Sequence, residues 1–282
     1  MLDLAVFRLR VLRPREGQEQ GFMGRPYLDT SPSQVLHAAI VEKPALETAT
    51  GALWTVGNVQ PLDDHGLYFC LGRVKKATRE VFAEGEFRQE LAQQAPFTHV
   101  VCDTALEACA IARRSDLAPN PHQLATRLVR VLAQAMVVQE GRYELETTEL
   151  DDPQRFLEYL ATAHEVSSFW MTYSRPNPWN AAEDFIGPFT RAVEHTGGKK
   201  GRTSISGKDL DRESLGEVAR SVAGEAYDAG ATLRMNKKGR STRKRLRGNH
   251  VSIKNPPLST DEARKGAIEK LREVFRRITG RT

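Results

Sequence analysis

The stretch ATLRMNKKGRSTRKRLRGNHVSIK, residues 231–254, decides how the last third of this chain folds. From Arg234 to Arg247 it carries eight Lys or Arg and no Asp or Glu. Such a run reads either as a solvated tail or as an arm that meets a polyanion. Its flanks argue against a tail. Ala231–Asn236 and His250–Lys254 each alternate apolar and polar side chains, with Val251 and Ile253 on one face, as strands with one buried face do. The run 237–247 is therefore expected to be a long hairpin loop held at both ends.

Working outward, Asp211 can cap a helix whose stripe is Leu215, Val218, Ala219, Val222 and Ala226. On the far side, Ser259-Thr-Asp-Glu262 has the form of a capping box. The helix it opens turns Ala267, Ile268, Leu271, Val274, Phe275 and Ile278 to a core. Upstream, VSSFWMTYS (166–174) is a strand with Phe169, Met171 and Tyr173 on one face and Trp170, Thr172 and Ser174 on the other. The Arg175-Pro176-Asn177-Pro178 break ends it, and a helix over 180–195 follows. Asp152-Pro153 starts a helix before that strand and YELETTEL precedes the helix, so a β-α-β unit is expected here.

In the first half, residues 3–12 alternate, with Ala5, Phe7, Leu9 and Val11 facing a core and Arg8 and Arg10 facing water. Ser31-Pro32 opens a helix to about Val41. GALWTVGNVQ and HGLYFCLGRV are strands joined by a DDHG turn. The polar segment 79–95 is assigned to a helix interrupted by Gly85. FTHVVCD is a strand, and ALEACAIARR is its partner. Leu124, Leu128, Val131, Leu132 and Ala135 form a helical stripe over 121–138. The fold class is α+β, with mixed or antiparallel sheets, packed helices, a basic β-hairpin near the C-terminus and a C-terminal amphipathic helix. Two halves are expected: an acidic one over 1–140, and one over 141–282 bearing basic loops at 197–208 and 237–247.

Charge narrows the partners. Residues 1–190 hold 18 Lys and Arg against 25 Asp and Glu, whereas residues 191–282 hold 23 against 11. An acidic body joined to a strongly basic last third is the footprint of a nucleic-acid binder. Its rivals are a partner protein with an acidic surface and self-association, the basic arm of one copy meeting the acidic body of another. The longest apolar runs are about five or six residues, far short of the ~20 that cross a bilayer, so no membrane partner is expected. Three cysteines without paired spacing suggest a reducing, cytoplasmic setting and no zinc site.

The expected nucleic-acid contacts are Arg234, Lys237, Lys238, Arg240, Arg243, Lys244, Arg245 and Arg247, with Lys199, Lys200 and Arg202 alongside. Because the arm has no aromatic residue, phosphate contact is favoured over base stacking, and RNA and DNA serve equally. GGKKGRTSISGKD (197–209) only loosely evokes a phosphate-binding P-loop. Five residues separate Gly201 from Gly207, and Asp209 stands where Ser or Thr would hold Mg²⁺. Two weak arrangements could carry nuclease chemistry. Arg245 and His250 have the arginine–histidine spacing of one superfamily of helical ribonucleases, but Gly248 interrupts them. Asp63 and Asp64, with Asp103 and Glu107, could bind a metal, but no strand-borne carboxylate–x–lysine follows them. No cofactor and no metal is expected.

SSFWMTYSRPNP, followed by a helix and then AGATLRMNKKG before a last β segment, resembles uncharacterised bacterial proteins that accompany phage-defence genes. The resemblance spans roughly residues 98–256 and transfers no catalytic residue. It implies a cytoplasmic role in bacterial defence, with other defence subunits as further partners.

Overall fold

A computed structural model of the chain describes residues 1–12, 30–83, 85–174 and 200–280, together with Phe189, Ala192, Val193, His195, Thr196 and Gly198. The architecture is α+β, with two antiparallel sheets and six helices among the described residues. Strand β1 (Leu2–Leu12) is the axis of the larger sheet. On one side it pairs with β7 (Ala108–Ala112). On the other it pairs first with β13 (Ser252–Asn255) and then with β8 (Glu144–Glu149). Beyond β7 lie β6 (Phe97–Asp103), β4 (Gly66–Ala83), β3 (Leu53–Pro61) and β2 (Ala45–Glu47), while β5 (Glu86–Gln94) pairs with β4. The smaller sheet runs β10 (Lys200–Ser206), β9 (Glu165–Ser174), β11 (Ala229–Arg234), β12 (Thr242–Arg245). Strands from both sides of residue 140 share the larger sheet.

Local signals set the helices. In α1 (Pro32–Val41), Ser31 and Gln34 form a complete capping box. Asn120 caps α2 (Pro121–Leu132), and the expected continuation to 138 is a separate turn, α3 (Met136–Glu140). The helix α4 (Gln154–Thr162) buries Phe156 and Leu160. Asp211 caps α5 (Arg212–Gly224) as expected. For α6 (Asp261–Thr279) the cap is Thr260, not Ser259, and Ala263 at the third helical position leaves no capping box. Helices α1 and α2 cover one face of the larger sheet, over Ala5, Phe7, Leu9 and Val11. On the other face, α6 packs against β6, β7 and β13 and against α5, which joins α4 and β9. Leu4 and Val6 share that second core with Phe169 and Met171 of the smaller sheet. No helix among the described residues is long and apolar enough to cross a membrane.

Five further expectations are corrected. The segment 79–95 is not helical: β4 runs on to Ala83 and returns as β5, with Gly85 at φ +83° in the turn, a conformation glycine adopts without strain. Phe82 and Phe87 meet across the tip of this hairpin, 4.9 Å between centroids, and both are exposed. Residues 144–174 are not a β-α-β unit, because β8 joins the larger sheet and β9 the smaller, with α4 passing between them. The basic segment 197–208 is not a loop throughout, since Lys200–Ser206 forms the edge strand β10. The hairpin at 229–245 closes earlier than expected, on β12 inside the basic run, while β13 leaves for β1. An edge strand with one solvated face tolerates such charge. The helix expected over 180–195 lies largely outside the described residues.

The fifth correction concerns β1, which is covered on both faces. Arg8 and Arg10, expected in water, are only 3% and 5% exposed. Arg8 is held by Glu107 at 3.4 Å, Glu225 at 3.5 Å, the Leu106 carbonyl and the Phe275 ring. Burial pushes the Glu107 carboxyl up to about 7, outweighing Arg8 and the Val11 N–H that stabilise its anion, and Glu225 adds to the rise. A carboxyl whose pKa is higher in the folded state releases its proton on unfolding, so stability falls as pH rises from about 4.5 to about 7. That loss amounts to about 3 kcal/mol. Glu107→Gln is expected to flatten this part of the profile. Urea denaturation midpoints of both proteins across the window test it, and parallel profiles would rule out Glu107 as the source.

Candidate nucleic-acid interface

Strand alternation gives the smaller sheet two unlike faces. One carries Phe169, Met171 and Tyr173 of β9 with Ala229, Ala231 and Leu233 of β11, all in the core. Cross-strand register puts the opposite face together: Lys200, Arg202, Ser204 and Ser206 of β10, then Ser168, Trp170 and Thr172 of β9. Gly230 and Thr232 of β11 and Arg243 and Arg245 of β12 complete it. None of these positions is acidic.

Trp170 is the centre of this face. Its indole lies on Gly230, where a Cβ would stand 2.6 Å from Cε2, Cζ2 and Nε1. A β-branched or even methyl-bearing neighbour would lift the ring, so the glycine sets its depth. Arg202 stacks over the ring at 4.2 Å and Arg245 at 5.4 Å. Such contacts contribute about 0.5–2 kcal/mol each. Trp170 is only 4% exposed. Its Nε1 has no hydrogen-bond partner among the described residues. The same device recurs on the core face, where Tyr173 lies against Gly201.

The expected contact residues divide. Lys200, Arg202, Arg243 and Arg245 are brought together on this face. Lys237, Lys238 and Arg240 are exposed in the turn that joins β11 to β12. Arg247 is exposed just past β12, at the end of the sheet where Lys200 lies. Lys244 points to the other face and stacks on Tyr159 of α4 at 4.4 Å. Arg234 pairs with Glu165 of β9. Lys199 lies outside the described residues, as does Trp179. Among the described residues, no carboxylate pairs with Lys200, Arg202, Lys237, Lys238, Arg240, Arg243, Arg245 or Arg247.

The catalytic candidates are not assembled into one site. His250 Nδ1 lies 3.0 Å from Asp151 and 3.7 Å from Glu149, while Arg245 is occupied over Trp170. Asp63 accepts two hydrogen bonds from Arg272 at 2.8 and 2.9 Å and caps its own turn through the His65 and Gly66 N–H groups. Arg272 holds the Asp63 carboxyl well below the usual carboxylate range. Asp103 meets the same guanidinium at 2.6 Å, so this pair anchors α6. Asp64 sits exposed in the turn. Among the described residues, no three His, Cys, Asp or Glu side chains converge as a metal site.

Sequence reasoning placed Trp170 on the correct face but did not identify it as the hub. The available signal was the pairing of an outward tryptophan with a glycine on a neighbouring strand, and it becomes readable only once the register is known. No protein-family model matches the chain, and no curated protein matches it in sequence.

Gly230→Ala should displace the indole and loosen both arginines, with a loss of about 1–3 kcal/mol typical of overpacking. Chemical denaturation measures it. An unchanged midpoint would show that the ring is not seated on β11.

Proposed function

We propose that this chain is a nucleic-acid-binding protein that contacts the phosphate backbone through the outer face of its smaller sheet and the adjoining hairpin turn. One observation supports the reading above the others. That face and turn present seven cations, Lys200, Arg202, Lys237, Lys238, Arg240, Arg243 and Arg245, with no carboxylate partner among the described residues. Ser168, Ser204, Ser206 and Thr232 lie between them as hydroxyl donors.

Uncompensated, preorganised cations bind phosphates by releasing counterions, and serine and threonine hydroxyls add positioning hydrogen bonds without reading sequence. Trp170 is covered by its two arginines, so it holds guanidinium groups in place and is not a platform for bases. Stacking on one ring spreads Arg202 and Arg245 over a fixed area and reduces the entropy lost on binding. RNA and DNA both present the required phosphates.

Cleavage is the second reading, and the 3.0 Å contact between His250 and Asp151 supports it, since a carboxylate can orient a histidine as a general base. Binding is favoured because Arg245, the proposed partner of that histidine, is engaged elsewhere. A cytoplasmic setting and a part in bacterial phage defence belong to the same proposal and rest on the cysteine usage and on the resemblance around SSFWMTYSRPNP.

Replacing Arg202, Arg243 and Arg245 together by Gln is expected to weaken binding of labelled RNA and duplex DNA. It should also make the slope of log affinity against log salt shallower by about 3 units for the duplex, at roughly 0.9 per phosphate contact. Titrations at salt between about 50 and 200 mM read both quantities. An unaltered slope would remove the sheet face from the interface. Incubation of the same nucleic acids with His250→Ala and with the wild type tests cleavage: loss of a cutting activity with binding retained would favour the nuclease.

A further inference from the structure

Where the smaller sheet ends it meets the edge of the larger one, and the junction encloses a cleft of about 450 Å³. Four cations line it: Arg10 of β1, Arg130 of α2, Lys200 of β10 and Arg247 after β12. His122 lies beside them, and among the described residues Glu146 is the one carboxylate in the lining. The four cations come from four elements far apart in sequence, so local composition does not account for their convergence. Arg10 is nine-tenths buried at the base, stacked on Tyr227 at 4.6 Å with Nη2 3.5 Å from the Thr148 hydroxyl. Arg130, Lys200 and Arg247 are exposed around it, and none pairs with a carboxylate among the described residues. The Thr148 hydroxyl also lines it, whereas those of Thr126 and Thr172 donate to the His122 and Asp228 carbonyls.

We infer that this cleft binds a phosphate monoester. Arg130, Lys200 and Arg247 line it as exposed donors for phosphate oxygens, and three cations against one carboxylate among the described residues leave the net charge a dianion requires. The volume lies within the ~300–1,000 Å³ of small-ligand sites and can admit the sugar and base that carry the phosphate. Two sources share this chemistry: the terminal phosphate of a nucleic-acid strand, and a free mononucleotide. The strand-end form rests on the proposed function of the sheet face, because Lys200 belongs to both surfaces and the basic track of Arg202 and Arg245 runs toward the cleft. The mononucleotide form does not depend on that reading.

The experiment compares one short oligonucleotide ended by a 5′-phosphate, a 3′-phosphate or hydroxyls alone, with adenosine 5′-monophosphate titrated separately. The full chain is used as wild type, Arg10→Gln, Arg130→Gln and Arg247→Gln. A phosphorylated end is expected to tighten binding about tenfold, as loss or gain of a charge-assisted hydrogen bond does. Arg130→Gln and Arg247→Gln should abolish that preference, and Arg130→Gln, away from the sheet face, should leave affinity for the hydroxyl-ended strand within about twofold. These exposed substitutions keep the test valid if Arg10→Gln fails to fold. Nucleotide binding that depends on Arg130, with no strand binding, would support the cleft and overturn the sheet reading. Strand binding without end preference, and without nucleotide binding, would overturn the cleft and leave the sheet reading standing.

Discussion

The burial of Arg8 on β1 is the constraint on which the rest of the structure depends. A strand that pairs on both edges and is covered on both faces is normally an unbroken apolar run, yet this one carries two guanidinium groups inward. Arginine cannot lose its charge in a protein, so Arg8 has to be matched. Glu107 arrives from the turn before β7 and Glu225 from the end of α5. The ring above it, Phe275, comes from α6. One buried cation therefore draws together the larger sheet, the helix that leads into β11 and the C-terminal helix. Removing one member of such a group costs more than the group contributes, because the others are left charged and dry.

The same strand explains where the cleft lies. Arg10 is two residues further along and on the same face as Arg8, but it lies beyond the reach of α6. It lies opposite Glu146 of β8 and lines the cleft beside the smaller sheet. Its guanidinium stays buried against the Tyr227 ring, and the exposed cations beside it, Arg130, Lys200 and Arg247, are what the cleft presents to solvent.

Much of the local architecture was legible in the sequence. The Ser31 and Asp211 caps involve residues three apart, and nothing distant competes with them. The two faces of β9 followed from alternation, and Val251 and Ile253 from the same rule. The failures share a cause, which is that partners set the outcome. Residues 79–95 are as polar as a surface helix, and only pairing of β4 with β5 makes them strands. Thr242–Arg245 has no apolar residue to announce a strand, and β11 supplies the template. Of the candidate site, the cations were legible as a group, but their division was not. Lys244 and Arg243 are adjacent in sequence and face opposite ways, and Arg245 and His250 are five residues apart in different surroundings. Arg10 and Arg130 carried no sequence signal, since their convergence depends on how two sheets meet.

The excess charge of the last third is more localised than its composition suggests. Many of its cations are neutralised by carboxylates, some of them from the acidic first half: Arg272 by Asp63 and Asp103, Lys254 by Asp3, Arg277 by Asp152, Arg234 by Glu165, Arg212 by Asp209. These pairs dock α6, β13 and β11 onto the rest of the fold, and they account for much of the contrast between the two halves of the sequence. The cations of the sheet face and its turn are among those left without such a pair. They meet rings, hydroxyls or water and no carboxylate among the described residues. A stretch kept free of acids in a chain with 36 Asp and Glu leaves its field undiminished at one surface, which is the condition for drawing in a polyanion. It also concentrates repulsion there, and stacking Arg202 and Arg245 on a single tryptophan is how the fold holds two like charges close without a counterion of its own.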